Sequence, residues 1–238
     1  VRSRRQRQMC IRDREYTMRR LKLTFLTSLI ILILVFFLGL LSLQLRNKKN
    51  DGSKSDISGN KTEDTKAEDV DAFLLSDNIQ QEILPVNPYS RPGDKVSKVT
   101  AIVVHYVGNP GTTAEQNRSY FNNLAELKNA YASSHYVVGL QGEIIQCVPL
   151  DEIAYASNNR NYDTISIECC HQDAEGRFTD DTYNSLVRLV AALCRTYGLN
   201  PETDVIRHYD VTGKLCPIYY VNNPDEWYAF KLSVKNEM

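Results

Sequence analysis

The chain has 238 residues, of which 42% are hydrophobic and 24% are charged; it contains six cysteines and has a formal net charge of −1. These values are typical of a globular protein and exclude a fully disordered chain or a collagen. A net charge near zero gives no general attraction to nucleic acid, and six cysteines are too few for a disulfide scaffold, so no nucleic-acid partner is expected.

The N-terminal part of the sequence predicts a membrane anchor followed by a stalk. Residues 23–43 form an uncharged apolar run, and about twenty apolar residues are enough to cross a bilayer. A cleaved signal peptide is the main alternative, but it has a shorter apolar core followed by a small-residue cleavage site. We therefore expect a transmembrane signal-anchor at residues 18–45, after a doubtful extension at residues 1–17. Residues 46–78 are polar and nearly free of aromatics, which predicts a disordered stalk.

Residues 79–238 are predicted to form one folded domain, because hydrophobic periodicity begins there and continues to the end. The predicted strands cover residues 100–105, 135–140, 143–148, 164–170 and 204–207. The predicted helices cover residues 114–128, 180–197 and 225–235. A hairpin beside longer crossovers indicates an α/β or α+β class with a mixed sheet.

Two histidines and one cysteine lie where a sheet presents side chains to a cleft. His105 ends one buried strand, His208 ends another, and Cys216 follows His208 with seven residues between them. Two imidazoles and one thiolate suit zinc, which catalytic sites usually hold with three protein ligands. The spacing of His208 and Cys216 is weak support when taken alone, because many such pairs are structural accidents.

Four sequence blocks, in order along the chain, carry a resemblance to a known family. They are IVVHYVGNPGTTA around His105, SSHYVVG at residues 133–139, TISIECC at residues 164–170 and RHYDVTGKLCP at residues 207–217. Together they resemble the zinc-dependent N-acetylmuramoyl-L-alanine amidases of the phage-lysozyme and peptidoglycan-recognition type. The resemblance covers nearly all of the predicted domain and implies an α/β fold with a mixed central sheet flanked by helices.

The resemblance also implies an activity and its residues. Peptidoglycan and its muropeptide fragments would be the substrate, cleaved between the lactyl group of N-acetylmuramic acid and L-alanine. The zinc ligands of the family correspond to His105, His208 and Cys216. Glu168 would accept a proton from the attacking water and pass it to the leaving nitrogen. Lys214 would stabilise the developing oxyanion.

Further residues have less specific expectations. Some members of the family carry a catalytic tyrosine where this chain has Ser134, so proton transfer is expected to depend on the glutamate alone. His135 is expected to support the site or to pack in the core. Asn158 and Asp210 are expected to support the metal ligands or to contact substrate, and His171 is expected to be exposed to solvent.

Two other functions stay open. A peptidoglycan-binding sensor without activity would share the fold, although relatives that only bind tend to lose the zinc cysteine, and Cys216 is present. A cysteine peptidase would use Cys216 as a nucleophile activated by His208, although no helix N-terminus is visible that would lower the pKa of the thiol. Because the substrate lies outside the cell, the expected localisation is the cell membrane, single-pass, with the catalytic domain extracytoplasmic.

Overall fold

The computed structural model describes residues 71–238. The doubtful extension at residues 1–17, the predicted anchor at residues 18–45 and the predicted stalk as far as residue 70 lie outside this range. Within residues 71–238, every helix is too short or too polar to cross a bilayer.

A mixed sheet forms the centre of the described region, as predicted. It has six strands rather than the five predicted, because the strand at Ile79–Gln81 was not expected. Its spatial order is β1-β4-β3-β5-β2-β6. Neighbouring strands are parallel except β3 and β4, which form the predicted antiparallel hairpin. The strands are β1 (Ile79–Gln81), β2 (Ala101–Tyr106), β3 (Tyr136–Val138), β4 (Ile144–Gln146), β5 (Thr164–Cys169) and β6 (Val205–Arg207).

Three longer helices confirm the helical predictions. The first begins with a capping box, in which the side chains of Thr113 and Gln116 each accept a backbone N–H of the other residue. The second begins at Thr179, whose hydroxyl accepts the Thr182 N–H, and ends at Gly198 in a left-handed conformation. The helices are α1 (Ala114–Leu127), α2 (Asp180–Tyr197), α3 (Pro201–Asp204), α4 (His208–Thr212), α5 (Ile218–Asn222) and α6 (Pro224–Glu237).

The sheet is covered by apolar side chains on both faces. On one face, α2 and α6 pack against alternate strand residues such as Ile165 and Ile167 of β5. On the other face, Phe121 of α1 packs against Val137 and Ile145. This alternation leaves Glu168 on the opposite side of β5 from the isoleucines, as the sequence predicts.

The folded region begins earlier than the sequence analysis placed it. Residues 71–78, assigned there to the stalk, pack against the domain. Leu74 is buried in the core beside α2, and Asp71 accepts a hydrogen bond from Arg195 at 2.6 Å. The short 3₁₀ turn at Ala72–Leu75 has a single buried side chain, which is too little to produce a recognisable hydrophobic period.

A buried ion pair fastens the segment between β1 and β2 to the rest of the domain. Arg91 donates to both carboxylate oxygens of Glu152, at 2.7 and 2.9 Å, and to the Leu84 carbonyl oxygen at 2.7 Å. The arginine holds the pKa of Glu152 below its usual range despite partial burial. Glu152 is therefore a paired, structural carboxylate.

Candidate metal centre

Three neighbouring parallel strands bring polar side chains to the same edge of the sheet. His105 of β2 pairs in register with Glu168 of β5. On the other side of β2, Val104 pairs with Arg207, so His208, directly after β6, comes level with His105. The centroids of the two imidazole rings lie 4.6 Å apart. Carboxyl ends of parallel strands are where open α/β sheets bind ligands.

Cys216 joins the two histidines from the loop after α4. Gly213 ends α4 with a φ of 78°, a left-handed conformation that glycine adopts without strain. The Tyr209 N–H donates to the Cys216 carbonyl oxygen at 2.9 Å and holds the loop against the helix. The Cys216 sulfur lies 3.9 Å from His105 Nδ1, and one donor atom from each of His105, His208 and Cys216 lies within 4.8 Å of the others.

Both histidines have their other ring nitrogen engaged by a single turn. His105 Nε2 lies 3.3 Å from the Ser157 hydroxyl oxygen, and His208 Nε2 lies 3.1 Å from Asn158 Oδ1. Glu168 completes the group, with its Oε1 at 4.0 Å from His105 Nδ1. On each ring, Nδ1 is therefore the nitrogen that remains available to coordinate a metal.

Burial sets the protonation of these groups. It lowers the pKa of His105 and of His208, and the positive charge of Lys214 acts in the same direction. Both imidazoles are thus neutral, as a metal ligand must be. Burial raises the pKa of Cys216 to about 12, with the Glu168 charge adding to the effect. Burial also raises the pKa of Glu168 to about 8, against the opposing influence of Lys214.

The buried atoms of this cluster fit a metal ion. Among the described residues, His208 Nδ1 and Glu168 Oε2 are buried without a hydrogen-bond partner, and such an atom costs about 1–3 kcal/mol. Two imidazoles and one thiolate are donors that zinc prefers. Donor atoms of a tetrahedral zinc site lie about 3.5 Å apart, close to the 3.9 Å between His105 Nδ1 and the Cys216 sulfur.

Comparison with known proteins agrees with this arrangement. The family profile described as N-acetylmuramoyl-L-alanine amidase matches residues 95–218, which include every residue of the cluster. The chain belongs to the N-acetylmuramoyl-L-alanine amidase family.

Individual relatives support the assignment. The amidase BlyA of Bacillus subtilis strain 168 is 36% identical in an alignment 175 residues long, which covers 65% of this chain and 46% of BlyA. The amidase CwlL of Bacillus licheniformis is 34% identical in an alignment 169 residues long, which covers 66% of this chain and 46% of CwlL. The chain thus spans about half the length of the curated relatives it matches.

Solved structures share the fold. The catalytic domain of XlyA is 26% identical with a TM-score of 0.56, covering 66% of this chain and 98% of that domain. PlyL is 27% identical with a TM-score of 0.57, covering 67% of this chain and 98% of PlyL. A mutant endolysin from Bacillus subtilis is 28% identical with a TM-score of 0.55, covering 66% and 97% of the two chains.

The remaining predicted residues of this amidase-family chain lie in different places. Lys214 is exposed on the turn after α4, close enough to the cluster for its charge to act on the buried groups. Asp210 is bound to Arg207, whose Nη2 donates to its Oδ1 at 2.7 Å. His135 is buried apart from the triad, accepting the Ser166 N–H on Nδ1 at 3.0 Å and donating from Nε2 to the Glu152 carbonyl oxygen at 2.9 Å.

The expected exposure of His171 is wrong. Its side chain is buried, with Nδ1 donating to the Asp173 carbonyl oxygen at 2.6 Å and the ring packed against Tyr106. The turn at residues 173–176 folds back over the histidine, and Gly176 approaches Tyr106 so closely that a Cβ there would lie 3.2 Å from the tyrosine ring. A polar turn in the sequence does not indicate that the chain folds back over the histidine before it and buries that histidine.

Sequence reasoning missed Ser157 entirely. It lies in an irregular loop rich in Asn, where hydroxyl and amide side chains usually stabilise turns. Nothing in the spacing of the loop relates Ser157 to His105, which precedes it by 52 residues.

The buried His135 predicts a specific pH dependence of stability. Burial lowers the pKa of folded His135 to about 4, from 6.5. Below pH 6.5 the unfolded chain takes up a proton that the folded chain refuses, so this contribution is complete above pH 6.5 and declines towards pH 4. The stability advantage of wild type over His135→Gln should therefore shrink by about 3 kcal/mol between pH 7 and pH 4. Urea unfolding with EDTA present measures it, and parallel pH profiles would contradict the assignment.

Proposed function

We propose that this domain hydrolyses the amide bond between the lactyl group of N-acetylmuramic acid and L-alanine in peptidoglycan. The observation that carries the proposal is the buried triad of His105, His208 and Cys216 beside an unpartnered carboxyl oxygen of Glu168. Membership of the family, and the names of the relatives BlyA and CwlL, support the same reaction.

We assign zinc to the triad, held by His105 Nδ1, His208 Nδ1 and the Cys216 thiolate. When bound, zinc lowers the pKa of a coordinated water to about 7 and polarises the substrate carbonyl. Three protein ligands leave a fourth position open for chemistry. The neutral state of both imidazoles supports this assignment, as does the distance of 3.9 Å between the Cys216 sulfur and His105 Nδ1.

Glu168 is proposed to move the proton. Its Oε2 is buried and unpaired, and its Oε1 lies 4.0 Å from His105 Nδ1, so the carboxyl group lies beside the proposed metal ligands. It accepts the proton of the attacking water as the new C–O bond forms. It then gives that proton to the nitrogen as the C–N bond breaks, which releases a lactyl carboxylate and the amino group of L-alanine.

Lys214 is proposed to stabilise the negative charge that develops on the carbonyl oxygen. It lies on an exposed turn, two residues before Cys216, and its charge already influences the pKa of Glu168 and of both histidines. A positive charge near a developing oxyanion lowers the barrier without any proton transfer.

Both alternative functions account for fewer of the observations. A module that only binds peptidoglycan has no use for an unpaired carboxyl beside the triad, since leaving one buried is unfavourable. A nucleophilic cysteine needs a lowered pKa, but burial raises the pKa of Cys216 to about 12. The hydrolytic zinc site uses both Glu168 and Cys216.

The metal assignment predicts a stoichiometry. The purified chain should bind one zinc per molecule, and Cys216→Ser should lose both the zinc and the release of stem peptide from muropeptides, because one of three ligands is gone. Elemental analysis and mass spectrometry of the products measure the two effects. Cys194→Ala, which removes a buried thiol of α2, is the matched control and should keep its zinc. An active, metal-free wild type would contradict the assignment and favour the cysteine peptidase.

The role of Glu168 predicts a loss of rate without loss of metal. Glu168→Gln keeps the size of the side chain but cannot accept a proton, so kcat should fall by about 10²–10⁴-fold while zinc stays bound. Steady-state kinetics on a defined muropeptide measure this fall, and Glu126→Gln, an exposed carboxyl on α1, is the control. Retention of wild-type kcat in Glu168→Gln would exclude the proposed proton transfer.

We further propose that the apolar run at residues 23–43 anchors the chain in the cell membrane with residues 79–238 outside. The support is the length and composition of the run, together with the location of peptidoglycan outside the membrane.

Protease treatment of intact protoplasts tests this topology. A tag placed after Met238 should be digested while a cytoplasmic marker protein survives, because the domain would be exposed to the medium. A tag that is cut only after lysis would contradict the proposed orientation.

A further inference from the structure

One turn contacts the Nε2 atoms of both histidines of the candidate metal centre. Ser157 and Asn158 are consecutive in the chain, yet Ser157 Oγ lies 3.3 Å from His105 Nε2 and Asn158 Oδ1 lies 3.1 Å from His208 Nε2. His105 lies in β2 and His208 begins α4, and the two residues are 103 positions apart in the sequence. A single local structure therefore controls the orientation of two distant rings.

The turn is itself held in place. Asn161 Oδ1 accepts the backbone N–H groups of Ala156 at 3.1 Å and of Ser157 at 2.6 Å. Arg160 then fixes the following residues, because its Nε donates to the Asp163 carboxylate at 2.8 and 3.0 Å just before β5. The two acceptors at its tip thus have a defined position relative to the sheet.

Asn158 adopts a backbone conformation that most residues avoid. Its φ is 54°, in the left-handed region, which asparagine tolerates better than other non-glycine residues. Such a conformation persists only where the surrounding structure requires it, and it often marks a functional position. Here it directs the amide oxygen at His208 Nε2.

The chemistry of the acceptor determines which histidine tautomer is present. An amide oxygen only accepts hydrogen bonds, so His208 must carry its proton on Nε2 to satisfy Asn158. The lone pair is then on Nδ1, the atom that is buried without a partner. The Ser157 hydroxyl can donate or accept, so it is compatible with the same Nε2–H form of His105. In that form His105 Nδ1 carries the lone pair and faces the Cys216 sulfur.

We propose that residues 156–161 form a clamp that fixes both histidines in the Nε2–H tautomer and so presents both Nδ1 atoms to the metal before it binds. Ser157 and Asn158 are positioning residues, since they act through the histidines. The inference rests on the metal site proposed above. Groups that orient metal-bound histidines in this way typically change metal affinity by about 10–100-fold when they are lost.

Two substitutions at residue 158 distinguish the effect of losing the side-chain acceptor from the effect of a changed backbone conformation. Asn158→Gly accepts a φ of 54° without strain but has no side-chain acceptor. Asn158→Asp tolerates the same conformation and keeps an oxygen that can accept from His208 Nε2. Both variants should therefore fold, and they differ in the one group under test.

Zinc affinity of the full chain is the primary measurement, by competition with a chromophoric chelator at fixed pH. Asn158→Gly should weaken zinc binding by about 10–100-fold, whereas Asn158→Asp should bind at least as tightly as wild type. Ser157→Ala should weaken binding in the same direction through His105. Equal affinity in wild type and Asn158→Gly would overturn the clamp, while a wild type that binds no zinc would overturn the metal site itself.

Nitrogen NMR of the histidine rings in the metal-free chain reports the tautomer of each ring. A purely structural role of Asn158 would leave the tautomer of His208 unchanged. Wild type and Asn158→Asp should show His208 in the Nε2–H form, and Asn158→Gly should show a mixture of tautomers. A wild-type His208 protonated on Nδ1 would overturn the clamp regardless of the zinc affinities.

Discussion

The site depends on the parallel pairing of β2 with β5 on one side and β6 on the other. This register sets His105 opposite Glu168 and brings His208 level with His105, so three polar groups leave the sheet at one edge. Backbone hydrogen bonds of the ladder fix these positions, and a shift of one residue in β5 would turn Glu168 to the opposite face, towards α2. Cys216 comes from the loop after α4, whose left-handed end at Gly213 turns the chain back towards the two histidines.

Two glutamates of the domain, Glu152 and Glu168, have opposite environments. Glu152 is paired with Arg91 through two short hydrogen bonds, and its pKa is lowered. Glu168 has an unpaired oxygen beside two neutral imidazoles, and its pKa is raised to about 8. The first arrangement stabilises the fold and the second is unfavourable for it, which is the usual condition of a carboxyl reserved for chemistry. A cation in the triad would relieve the unpaired His208 Nδ1 and favour the ionised forms of Glu168 and Cys216.

Much of this arrangement could be predicted from the sequence, because periodicity and local caps determine it. The run of β-branched residues before His105, the apolar stripe of α2 and the final glycine of α2 each specify their own element. The four ordered blocks then identified His105, His208, Cys216 and Glu168 as one group. The support for that group could be predicted only in part. Asn158 was expected to support a metal ligand or to contact substrate, and it contacts His208. Ser157 reaches His105 only through the path of an irregular loop, and His171 is buried only because a polar turn folds over it.

The central claim is that two histidine nitrogens and one cysteine sulfur of this chain hold a zinc ion. X-ray absorption at the zinc edge of the zinc-loaded chain tests it most directly, since sulfur and nitrogen scatter differently. The account predicts one sulfur at about 2.3 Å and two nitrogens at about 2.0–2.1 Å, with one further light atom. A coordination shell of nitrogen and oxygen alone, without sulfur, would contradict it.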